Sequence, residues 1–120
     1  MADFAKLEVW RKAHALVLNV HRVATAMRGS TQASLKSQMV RASMSIPTNI
    51  VEGRGQRSDR DFARFLRYAV NSSSELEYHL IMARDTEAIT RTDCTALIDQ
   101  TKEVRRMLYG LEKTILSRPS

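Results

Sequence analysis

Apolar side chains recur along this chain at alternating intervals of four and three residues, the spacing that keeps one stripe of an α-helix turned toward partner helices. The cleanest run is Phe62, Leu66, Ala69, Ser73, Leu76, Leu80 and Ala83, which repeats 4-3-4-3-4-3 without a break. Cys94, Leu97, Thr101, Val104, Leu108, Leu111 and Ile115 follow the same template. So do Val9, Ala13, Leu16, Val20, Val23 and Met27, with Phe4, Trp10 and Val17 widening the stripe. A further segment, from about Gln32 to Glu52, runs through Leu35, Met39, Ala42, Ile46 and Ile50. No stretch alternates with period two over a useful length, so essentially no strand is expected.

The polar and small residues between these stripes supply starts and stops. Asp3 is a plausible N-cap for the first helix, which should end near Gly29, and the second should stop at the pair Gly53 and Gly55. Ser58 with Asp61 three residues later resembles a capping box that opens the third, and Thr92 or Thr90 would cap the fourth. Connections this short make sequential helices antiparallel, which predicts an all-α, up-down-up-down four-helix bundle forming a single domain over residues 1–120. Pro47 interrupts the second helix, because it has no N–H for the carbonyl of Ser43 and its ring crowds that carbonyl. Ile46 and Ile50 stay in phase across it, and Ala42, Ser43 and Ser45 leave room for a bend, so a kink is expected there.

Composition sharpens this picture in two respects. At 43% hydrophobic and 27% charged, with four Gly and two Pro, the chain has the make-up of a packed helical domain and not of a disordered one. A single cysteine, Cys94, cannot form an internal disulfide, which suits a cytoplasmic protein. The first seven residues lack the apolar core of a secretion signal, and no apolar run approaches the roughly 20 residues a membrane-spanning helix needs. The net charge of +6 is unevenly spread: residues 28–67 hold eight basic and three acidic side chains, a net of +5, and the other eighty residues hold only +1. A localised positive field favours a polyanionic partner.

Arg54, Arg57, Arg60, Arg64 and Arg67 concentrate that charge. From Arg57 onward the spacing is three or four, so on the third helix these arginines form one ridge beside the Phe62, Leu66 and Ala69 seam. The ridge reads either as a solvated face paired locally with Asp59 and Asp61, or as a phosphate-binding surface. A second polar group, Arg41, Ser43, Asn49, Glu52 and Glu75, reads as a buried structural network or a functional site. Unpaired burial costs about 1–3 kcal/mol per group, so partners should exist, with Arg41 pairing to Glu75 and Asn49 to backbone near the kink.

Catalytic signals are weak. His14 and His21 are two helical turns apart, roughly 10 Å, without a carboxylate three or four residues beyond either. His79 is isolated, and Cys94 lies on an apolar stripe, which favours a buried structural thiol over a nucleophile. The glycine-rich G-R-G-Q-R from Gly53 to Arg57 lacks the spacing and ending of a phosphate loop and reads as a turn. No catalytic residue, metal site, cofactor or small-molecule substrate is expected. Trp10, Tyr68, Tyr78 and Tyr109 are the aromatics that could stack on bases, although packing at helix or subunit interfaces is the simpler reading, with Trp10, Phe65 and Tyr109 expected at a subunit contact.

Three blocks in the same order, F-A-K-L-E-V-W-R-K-A, R-A-S-M-S-I-P-T-N-I-V-E-G, and D-F-A-R-F-L-R-Y-A with S-S-S-E-L-E-Y-H-L, span most of the chain. Together they resemble the bacterial four-helix-bundle family that includes the 23S ribosomal RNA intervening-sequence proteins. Asn71, where that family commonly has Gly, and D-T-E-A-I in place of a Leu-Gly-Tyr type of turn depart from its usual pattern. The resemblance implies an antiparallel bundle assembling into a homopentamer without established catalytic activity. It also implies kinship with the accessory variability determinant proteins of diversity-generating retroelements, basic pentamers thought to bind nucleic acid and reverse transcriptase. The function expected is therefore a non-enzymatic oligomer binding RNA or a ribonucleoprotein partner through the arginine ridge. The rival is a purely structural or protein-interaction oligomer.

Overall fold

A computed structural model describes residues 3–119. After one 3-10 turn, Phe4–Lys6, the chain forms α1 (Glu8–Thr25), a second 3-10 turn at Ser30–Gln32, α2 (Ala33–Arg54), α3 (Asp59–Asp85) and α4 (Arg91–Leu116), with no strand among the described residues. Each helix packs along its neighbours in sequence, α4 closes against α1, and the diagonal pairs stay apart, within dimensions of 51 × 22 × 19 Å. Antiparallel direction is visible in the contacts. Along α3 and α4, Arg67 meets Glu112 and Glu77 meets Arg105, and Asp59 meets Arg118 just past the end of α4, so the number rises on one side as it falls on the other.

The local start signals act largely as the side-chain chemistry dictates. Ser58 Oγ accepts the Asp61 N–H at 3.1 Å, and Thr90 Oγ1 accepts that of Asp93 at 3.0 Å, so Thr90 and not Thr92 caps α4. Asp3 accepts the Ala5 N–H, but it caps only the 3-10 turn: Leu7 is extended (φ −76°, ψ 124°) and α1 starts after it. The first helix also ends earlier than Gly29, at Thr25, while Met27 stays buried from outside the helix. At the α3–α4 corner Glu87 takes the left-handed conformation (φ 61°) usually left to glycine. Its N–H bonds to the Arg84 carbonyl and the Ala88 N–H to that of Ala83, which closes a Schellman motif without a glycine.

All seven predicted seam residues of α3 are buried, as are Met39, Ala42, Ile46 and Ile50 of α2 and six of the seven on α4. Val23, Leu35 and Leu111 are only half-buried, and Ala24 takes the inward place on α1 that was expected of Val23. Pro47 is buried within α2, and the helix continues through it unbroken. Side-chain bonds to carbonyls bracket the proline: Ser43 to Val40, Thr48 to Met44 and Asn49 to Ser45, each 2.8 Å. These occupy carbonyls in the two turns that surround the missing N–H.

Two glycines within helices have opposite surroundings. A Cβ on Gly53 would lie 2.8 Å from Phe65 Cβ and 2.9 Å from Phe62 Cδ1, whereas one on Gly110 would meet nothing within 4 Å. Gly53→Ala should therefore lower stability by about 1–3 kcal/mol despite alanine's better helix propensity. Gly110→Ala should raise it by about 0.5–1 kcal/mol, and urea unfolding of both variants checks the opposite signs. Cys94 is buried, with its thiol donating to the Leu80 carbonyl, and burial pushes its pKa up against the weaker pull of nearby Arg84. Because the fold keeps the thiol protonated, ionisation favours the unfolded chain, so stability should fall as pH rises past the ordinary thiol value of about 8.5. At neutral pH a thiol reagent should label Cys94 in denaturant and leave the native protein unmodified.

Candidate nucleic-acid interface

The cap at Ser58 sets the phase of α3: with Phe62, Leu66 and Ala69 turned inward, Arg60, Arg64 and Arg67 turn outward. All three line a groove of about 340 Å³ beside α4, together with Asp61, Tyr68, Glu112 and Leu116. Arg57 precedes them in the α2–α3 connection and is exposed. Arg54, in the last turn of α2, is half-buried, and its Nε is enclosed without a hydrogen-bond partner.

These arginines are not equivalent. Arg67 forms a forked bridge to Glu112 on α4, with Nη2 2.8 Å from Oε1 and Nε 3.3 Å from Oε2, and its guanidinium lies 5.2 Å over the Tyr109 ring. Arg64 reaches Asp61 at 3.3 Å and lies 5.3 Å from the Phe65 ring. Asp59 pairs with Arg118 at 3.6 Å, not with the ridge. Arg57 and Arg60 pair with no carboxylate among the described residues. The ridge thus divides into an interhelical clasp at Arg67 and a freer charge at Arg57, Arg60 and Arg64.

Of the expected polar network, the structure assembles only part. Asn49 donates to the Ser45 carbonyl at 2.8 Å and to Ser45 Oγ at 3.1 Å, and Ser45 Oγ meets Ser72 Oγ on α3 at 2.8 Å. Ser43 is buried and satisfied by Val40 of its own helix. The Arg41–Glu75 pair does not form. Arg41 is exposed and donates to Gln38 at 2.7 Å, while Glu75 is exposed and contacts His79 at 3.4 Å. The two short serine hydroxyls hold the α2–α3 contact at this level, and the longer side chains lie outward. Glu52 is likewise exposed, outside the network.

The interhelical carboxylates carry no local signal in the sequence. Glu77 meets Arg105 at 2.6 Å, with Arg105 also 3.4 Å from Ser73, and Glu112 holds Arg67. Both acids flank seam positions, but their partners follow only from the axial register of α3 and α4. The aromatics also divide: Trp10 is half-buried, stacked on His14 at 5.1 Å and edge-on to Phe4, and Phe65 is half-buried, whereas Tyr109 remains exposed. The shifted carboxylates, Glu8 and Glu103, lie on exposed helix surfaces, where hydrogen bonds from Arg11 and Arg106 hold them below their ordinary range. Gly53 to Arg57 is a helix end and turn, with the Gln56 side chain donating to the Glu52 carbonyl. No group of three His, Cys, Asp or Glu residues converges as a metal site among the described residues.

A family described as the 23S rRNA-intervening sequence protein matches residues 5–110. A crystal structure from Bacteroides thetaiotaomicron, of a protein with unknown function from the S23 ribosomal protein family, shares the fold with a TM-score of 0.79 at 24% identity, covering 88% of this chain and 98% of that one. No curated protein matches this chain. With the family match extending from the first 3-10 turn into the last turns of α4, the chain belongs to the 23S rRNA-intervening sequence protein family.

Proposed function

We propose that this protein is a non-enzymatic homo-oligomer, a pentamer, that binds RNA or a ribonucleoprotein through the free part of the arginine ridge. The observation that carries this reading is the exposure of Arg57, Arg60 and Arg64 at one end of the bundle, with a single intramolecular carboxylate, Asp61, among their partners. A half-exposed guanidinium in so weak a pair loses little by exchanging it for a phosphate. Repetition around a ring strengthens the field, since five chains of +6 carry a formal +30. The histidines are dispersed and the Cys94 thiol is buried, which supports a binding role over nucleophilic catalysis.

Arg67 is excluded from the binding set, because its removal would leave the largely buried Glu112 carboxylate without its partner. Binding to structured ribosomal RNA fragments should weaken steeply with salt. The triple variant Arg57→Ala, Arg60→Ala, Arg64→Ala should reduce the logarithmic salt slope by about 2 to 3, near one phosphate contact per arginine. Undiminished binding or an unchanged slope in that variant would reject the ridge as the contact surface. Light scattering on the native protein should return five times the 13.6 kDa chain mass, and a monomer would remove the pentamer and its summed charge.

A further inference from the structure

The basic groove between α3 and α4 is also a place where an aromatic ring reaches solvent beside the arginines. Tyr68, which lines the groove, is 42% exposed, whereas the nearby Tyr109 ring lies beneath the Arg67 guanidinium. The Tyr68 ring does not hang loose. Phe65 braces Tyr68 edge-on, with ring centroids 5.4 Å apart at 80°, and Arg67 is itself held in place by Glu112. Both carboxylates in the groove are engaged, Asp61 by Arg64 and Glu112 by Arg67, so the uncommitted charge beside Tyr68 is that of Arg60.

The geometry points to unpaired RNA nucleotides as the ligand of this edge, with phosphates on Arg60 and Arg64 and a base face against Tyr68. This rests on the reading that the ridge binds RNA and goes further by choosing its class. A duplex hides its base faces in its own stack, and its phosphates would use the arginines while leaving the braced, exposed Tyr68 ring without a role. An unpaired strand offers both parts, and stacking on an aromatic ring accepts any base, in keeping with a surface that has no base-reading device. Arg60 to Arg67 rises on the order of 10 Å along the helix, enough for the groove to follow a short segment of strand.

The test is fluorescence anisotropy on the full chain with two RNA probes of equal phosphate count, a short uridine-rich single strand and a blunt duplex. The single strand should bind about tenfold more tightly. Tyr68→Leu should lower its affinity about tenfold, leaving the duplex and the salt slope unchanged, and Tyr68→Phe should keep the preference. Circular dichroism and native mass matching the parent protein would certify each variant as folded. Equal affinity for the two probes, or a Tyr68→Leu variant that binds the single strand as the parent does, would overturn this inference while arginine-dependent RNA binding stood. Failure of both probes to bind at low salt would overturn both readings and leave a protein partner for the same edge.

Discussion

The arrangement of this bundle depends on how closely α2 approaches α3. Where the two helices meet near their connecting turn, Gly53 leaves no room for even one methyl group beside Phe62 and Phe65. Further along, the contact is made by Ser45 and Ser72 through their hydroxyls. Small residues permit the approach, and the phenylalanines fix the rotation of α3 about its own axis. That rotation is what turns Phe62, Leu66 and Ala69 inward and sends Arg60 and Arg64 to the surface. The site is thus a consequence of packing on the far side of the helix that carries it.

The polar residues around Pro47 gain a physical explanation from the same contact. A proline deep in a helix costs on the order of 3 kcal/mol, and α2 carries one without breaking. Ser43, Thr48 and Asn49 bond back to carbonyls of their own helix, and Asn49 also joins Ser45, which reaches across to α3. Ser43, Ser45, Thr48 and Asn49 of this segment are thus engaged in local and interhelical hydrogen bonds. Arginine chemistry begins beyond it. Of that series, Arg67 serves the α3–α4 contact, through Glu112 and Tyr109, as much as it serves the surface. A guanidinium can do both because its fork fits a carboxylate while its plane covers a ring.

Much of the fold was legible because helical amphipathicity and capping are local. The unbroken stripe from Phe62 to Ala83 is buried along its whole length, and Ser58 caps α3 through the Asp61 N–H as its hydroxyl chemistry requires. The structure departs from the local signals where a short-range preference competes with a tertiary contact. Gly29 ends no helix, since α1 stops at Thr25 and Met27 is buried from the connecting segment. Arg41 and Glu75 read as partners on adjacent helices, but pairing requires facing directions as well as proximity. Each instead found a neighbour on its own helix, Gln38 and His79.

By itself, the sequence determined the number of helices, the side of each that is buried, and where a concentration of positive charge falls along the chain. These depend on residue type and spacing within one segment. Tertiary structure alone decided which charges are free and which are committed: Arg67 to Glu112, Arg105 to Glu77, Asp59 to Arg118, with Arg57 and Arg60 left to solvent. A heptad-like pattern fixes the direction a helix faces but is nearly indifferent to sliding along its axis. Close contacts and turn geometry set that offset, and the offset selects the partners.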